Sequence, residues 1–257
     1  MPIGDSKGGQ FKYLFDQYAS YTDLLTDPPS ATENIDGAFA PGFLLGSLYT
    51  TSGIGTNPGP GKQGFYWTRS AQSNRSAYDA VFSNTSAPYT SNHDKYFGAS
   101  VRCLMKGKTI SDITYMQDVT TKMARSTTHL ESTTLIDSRD GQEYPVTMFN
   151  GNLWMTKNLA LGCDGSGGTY GTNIVSRLLT PSDTNIETAW ELPATSLKNS
   201  HNSTDASIEC DSTYGAWYNY PAATAGTITG GDRTTDVYNI CPKGWTLPTR
   251  GDRKSVV

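Results

Sequence analysis

The chain's apolar positions change period several times. Over 9–20, GQFKYLFDQYAS sets Phe11, Leu14, Phe15 and Tyr18 on one stripe at helical spacing, with Asp5 or Ser6 available as an N-cap. Residues 27–64 are broken by PP, PG and NPGPG and predict long ordered loops, anchored by apolar steps such as Phe43-Leu44-Leu45. GFYWT (64–68), SAYDAVF (76–82) and ASVRCL (99–104) predict strands. A second helix is predicted over 111–125, with Ile113, Met116 and Met123 on one side.

The clearest hairpin signals follow. TTLID (133–137), EYPVTMF (143–149) and LWMTKN (153–158) predict a meander. Asp140-Gly141 and Asn150-Gly151 supply the turn residues that tolerate positive φ. Residues 162–215 return to a loop-like Gly/Ser/Thr/Asn texture, and ICPKGWTLPT (240–249) reads as a short strand entering a turn.

Composition narrows the function classes. A net charge of −4 with 17% charged residues lacks the basic excess of a nucleic-acid binder. The 15 tyrosines, 8 phenylalanines and 5 tryptophans argue against a disordered chain. No apolar run reaches the length of a membrane helix, so membrane insertion is not expected, and the polar start MPIGDSKGGQ shows no signal peptide. Cys103, Cys163, Cys210 and Cys241 are even in number and form no CxxC pair. They favour up to two disulfides, and hence an oxidising setting, over a zinc site; buried free thiols are the alternative.

Three groups of motifs carry a resemblance. DGQEYPVTMFNGNLWMTKNL, YGAWYNYPAAT and ICPKGWTLPT resemble successive motifs of the Fibrobacter-type major paralogous domain, and GFYWTRS, SAYDAVF and YFGASVRCL resemble its closing part. The resemblance implies an α+β class: a C-type-lectin-like fold of the formylglycine-generating-enzyme subtype, with small twisted antiparallel sheets, two helices and long ordered loops. The order of the parts is reversed, since in the family ICPKGWTLPT precedes the helix and SVRC ends the domain. A circular permutation joined at Leu104–Met105 accounts for this. It makes 1–257 a single domain, with 1–104 the family's C-terminal half and 105–257 its N-terminal half. Two half-domains from a tandem array would instead each expose strand edges and half a core. In the single domain the family order implies that Cys103 meets Cys241, and that Cys163 then pairs with Cys210.

The same resemblance directs attention to residues 70–96. Of these 27 residues, 17 are Ser, Asn, Thr, Tyr, Asp or His, the types reached by single-base changes of an asparagine codon. In this the segment looks like a variable protein of a diversity-generating retroelement, in which a lectin-like scaffold displays altered side chains. The implied ligand-facing set is Ser70, Ser73, Asn74, Ser76, Tyr78, Asp79, Asn84, Tyr89, Asn92, His93, Asp94 and Tyr96. Tyr and His give contact area at low entropic cost, and Ser and Asn give adaptable hydrogen bonds.

The expected partner is a macromolecular or cell-surface ligand, a protein in the first instance. The expected location is extracellular, on a cell or virion surface. A fixed adhesion module of the same family is the alternative, and a formylglycine-generating-type enzyme a more distant one.

Catalytic and metal signals are weak. His93, His129 and His201 lack ligand spacing, so neither cofactor nor metal is expected. CDGSGG (163–168) has no accompanying triad motifs. NPGPGKQG departs from a phosphate loop at Thr56 and Gln63. The calcium motifs of sugar-binding lectins and the catalytic cysteines of the enzyme branch have no counterparts. Arg250-Gly251-Asp252 lies at the proposed permutation ends, and the sequons at Asn74, Asn84 and Asn202 matter only in a glycosylating host. Trp67, Trp154, Trp190, Trp217 and Trp245 read as core or loop anchors.

Overall fold

The computed structural model describes residues 11, 44–50, 52–55, 59–83, 85–86, 88–106, 114–119, 133–149, 152–164, 173–197, 205–211, 215–226 and 238–249. Among the described residues strand outweighs helix by 48% to 5%, which overturns the expected α+β class with two helices. The helix read over 9–20 lies outside the described residues apart from Phe11. Within the second predicted helix, Met116–Asp118 forms one 3-10 turn with a half-extended exit at Val119. Residues 111–113 and 120–125 of that prediction, with Ile113 and Met123, lie outside the described residues.

Two sheets carry the frame. The first contains β3 (Gln63–Ala71), β4 (Ser76–Ser83) and β5 (Tyr89–Asp94) in that order, all antiparallel. The second contains β6 (Leu104–Lys106), β7 (Thr133–Ile136), β8 (Glu143–Phe149) and β9 (Asn152–Met155), in the order β6-β9-β8-β7. The β7–β8 turn follows its sequence signal. Gly141 takes φ +75°, while Asp137 accepts from the Arg139 amide and guanidinium and from Gln117. The buried Arg139 side chain also reaches Thr184 and the carbonyl of Ile240.

Smaller ribbons complete the fold. β1 (Tyr49–Thr50) pairs with β2 (Gly53–Ile54), β10 (Arg177–Leu179) with β12 (Trp190–Leu192), β11 (Thr184–Asn185) with β15 (Asn239–Pro242), and β13 (Ile208–Asp211) with β14 (Gly215–Tyr218). Residues 173–211 therefore include strands where loops were expected; strands only two to four residues long leave almost no alternation to detect. The helix α1 (Tyr220–Ala223) starts on Asn219, whose side chain accepts from the Ala222 amide, with Pro221 in its first turn.

Both halves of the chain feed one core. Trp67 donates its indole N–H to the carbonyl of Tyr218 at 2.7 Å, and Trp245 donates to Met116 at 2.9 Å. Such partners let large aromatics be buried without stranding a donor. Leu104 and Met105 pair with Trp154 and Leu153 within β6–β9, and Leu104 exchanges backbone hydrogen bonds with Thr246. Cys103 is bonded to Cys241 and Cys163 to Cys210, so the described cysteines are all paired. Two disulfides indicate an oxidising, extracellular-type environment.

Candidate functional site

The polar segment is largely sheet. Tyr89–Asp94 is not among the strands predicted from sequence but forms β5, the edge of the three-stranded sheet. Its sequence, YTSNHD, has no apolar phase, so the alternation that marks a half-buried strand is missing. Pairing with β4 supplies the order that the sequence pattern does not advertise. The register Ser76↔Asp94, Tyr78↔Asn92 and Ala80↔Thr90 puts these side chains on the outer face. Ala77↔His93, Asp79↔Ser91 and Val81↔Tyr89 face the core.

The outer face is itself divided. At one end Tyr66, Ala80 and Phe82 are buried, and the ring of Phe11 packs on Phe82 and Trp154. At the other end Ser76, Tyr78, Thr90, Asn92 and Asp94 stay partly or fully exposed, beside the turn at 72–75.

Period-two geometry sorts the twelve expected ligand residues. Asn74 and Asn92 are exposed, and Ser70, Tyr78 and Asp94 half-buried. Ser73 and Ser76 lie at the same rim, but their hydroxyls close the turn. The two oxygens are 2.9 Å apart, Ser73 accepts from the amides of Arg75 and Ser76, and Ser76 donates to Gln72. Asp79 is fully buried and Tyr96 is 6% exposed, which corrects their placement among outward-facing residues. Tyr96 packs on Phe97 and hydrogen-bonds Asp94. Tyr89 and His93 turn under the sheet against the core. Asn84 lies outside the described residues, as do His129, His201, Asn150-Gly151, Asn202 and Arg250–Asp252. A uniformly outward segment was not physically available, because adjacent strand residues point to opposite faces. Ala77 and Val81 already carried that phase for Asp79. Thr90, on the outer face, was missed for want of such a marker on β5.

Beneath the face lies a pair of ionisable side chains, His93 and Asp79. His93 Nδ1 sits 2.9 Å from Asp79 Oδ2, joining β5 to β4, with the His93 side chain 26% exposed. The imidazole meets the Phe65 ring edge-on at 5.2 Å. Burial raises the Asp79 pKa, and the hydrogen bond and charge of His93 only partly offset it. Burial opposes the imidazolium of His93, but Asp79, with Asp94, leaves its pKa raised. Asp79 Oδ1 has no hydrogen-bond partner among the described residues.

Elsewhere an open groove of about 360 Å³ is lined by Trp190, Glu191, Pro193, Thr195, Asp205 and Ala206, without histidine or cysteine.

No family model, curated protein or solved structure matches the chain.

Proposed function

We propose that this is a binding protein that presents the outer face of β4 and β5, with the 70–76 turn, as a display surface for a protein ligand on a cell or virion. The observation that supports the reading is the separation of roles along β4 and β5. Tyr78, Thr90 and Asn92 point away from the core, while Ala77, Asp79 and Val81 carry the packing on the other side. Side chains on such a face can be exchanged with small effects on stability, which a diversified surface requires. The resemblance to variable proteins of diversity-generating retroelements agrees with this arrangement. A fixed adhesion module is favoured by one detail: the Ser73–Ser76–Gln72 hydroxyl network commits those positions to the turn.

The test is a substitution library at Asn74, Tyr78, Thr90 and Asn92, read by resistance to proteolysis and compared with one at Ala77, Asp79 and Tyr96. Most outer-face members are expected to remain folded, and most inner ones are not. Equal losses in both libraries would refute the display reading. Sequencing the genomic surroundings separates the two forms of the reading. A near-copy of the DNA for 65–104 that differs at adenines, beside a reverse-transcriptase gene, supports diversification; its absence supports the fixed module.

A further inference from the structure

The main chain of β5 has a free side whose register can be read from its neighbours. The Phe65 carbonyl and Trp67 amide of β3 are taken by Ser100, so Gly64 and Tyr66 bond β4 through Phe82 and Ala80. Ala77, Asp79 and Val81 then bond β5 through His93, Ser91 and Tyr89. This leaves the amides and carbonyls of Thr90, Asn92 and Asp94 pointing away from the sheet. The Asp94 carbonyl is occupied by the Phe97 amide at 3.0 Å. Thr90 and Asn92 have no such partner among the described residues. Between Tyr89 and Asp94 the edge carries no lysine, proline or register shift, three of the devices that keep an edge single, and its one carboxylate, Asp94, lies at the strand's end.

From this edge we infer that β5 pairs antiparallel with β5 of a second copy, about a two-fold axis through Ser91. The two free residues lie symmetrically about Ser91, so Thr90 meets the partner's Asn92 and Asn92 meets the partner's Thr90, each pair exchanging amide and carbonyl. Neighbouring registers do less. Thr90 against the partner's Thr90 sets Asn92 against the partner's Pro88, which has no N–H. Asn92 against the partner's Asn92 sets Thr90 against the partner's Asp94, whose carbonyl is already used. The chosen register also opposes no like charges. Tyr89 lies beside the partner's His93, Ser91 beside the partner's Ser91, and Asp94 beside the partner's Pro88. The two sheets become one, with both outer faces on the same side. A dimer of this kind makes the display surface bivalent, and its formation does not depend on what that surface binds.

Ser91→Cys tests the axis directly. The described cysteines are all in disulfides, which makes the new thiol distinct from them. Residues opposed at such a position have Cα atoms about 4.5 Å apart, within reach of a disulfide. Under mild oxidation Ser91→Cys is expected to yield a covalent dimer on non-reducing gels, while Asn74→Cys, on the exposed turn, stays monomeric. Sedimentation of the unmodified protein should show mass rising with concentration. Thr90→Pro removes an outward N–H without touching the β4 bonds, so it should abolish that rise and keep the thermal midpoint. Cross-linking of Ser91→Cys no faster than of Asn74→Cys would overturn the inference, as would undiminished association of a folded Thr90→Pro. If Thr90→Pro does not fold, the cysteine pair still decides.

Discussion

Replacing His93 with alanine isolates the His93–Asp79 pair under the outer face of β4 and β5. The change leaves Asp79 fully buried, without its 2.9 Å partner and with Oδ1 already lacking a hydrogen-bond partner among the described residues. Removing one member of a buried pair costs about 3–5 kcal/mol. His93 is only partly buried and is screened through its exposed quarter, so about 2–4 kcal/mol is expected here, including the lost edge contact with Phe65. Urea unfolding with the disulfides intact gives the number, provided the m-value is unchanged.

The pH dependence gives a second, independent readout. Both folded pKa values are raised, so in the unmodified protein the pair's contribution from His93 is complete below the ordinary histidine value of 6.5 and declines as pH rises through the raised one. In His93→Ala the unpaired Asp79 holds its proton to still higher pH. The penalty should therefore be smallest near pH 4 and grow toward pH 7 (about the range between the ordinary Asp and His values). Asp79→Ala added to His93→Ala should recover at least part of the loss at pH 7, since it removes the carboxyl that must otherwise be buried unpartnered or held protonated. A His93→Ala penalty below about 0.5 kcal/mol, or one that does not change with pH, would refute this account of the His93–Asp79 pair.

Other outcomes follow from single features. Burial, reinforced by the charge of Asp137, pushes Asp140 up to about 6, so its ionisation destabilises the fold as pH rises from its ordinary value through 6. Asp140→Asn should flatten the stability profile over that window and gain about 1–2 kcal/mol at pH 7, measured by urea unfolding at several pH values. Replacing Cys103 and Cys241 by serine opens a link spanning 138 residues and should cost about 3–5 kcal/mol, seen as a lower thermal midpoint, with the reduced unmodified protein, which loses both bridges, lower still. A Cβ on Gly64 would overlap the backbone carbonyl of Leu44, so Gly64→Ala should destabilise by about 2 kcal/mol or more; a normal denaturation midpoint would contradict that packing.

The elements legible from sequence were those with alternation or turn chemistry. Ala77 and Val81 gave β4 its phase, and Asp140-Gly141 marked the β7–β8 turn. The Cys103–Cys241 and Cys163–Cys210 pairings came from the order of family motifs rather than from spacing. The helix over 111–125 was overvalued because its Ile and Met spacing ignored Thr114 and Tyr115, which run into a bridge with Ile136. β5 was invisible because every residue in it is polar or amphipathic, and only its partner strand orders it. The same blindness merged the two faces of β4 and β5 into a single ligand set. His93 and Asp79 were read as two exposed polar groups, whereas their distance in sequence conceals a contact that exists only once the hairpin has formed.

The bond between Cys103 and Cys241 closes a covalent ring around everything between them. A protease that clips the backbone once anywhere from Met105 to Ile240 therefore releases nothing. The clipped molecule keeps its mass and migrates as one species until a reductant divides it in two, so a sample checked only under oxidising conditions would pass as intact.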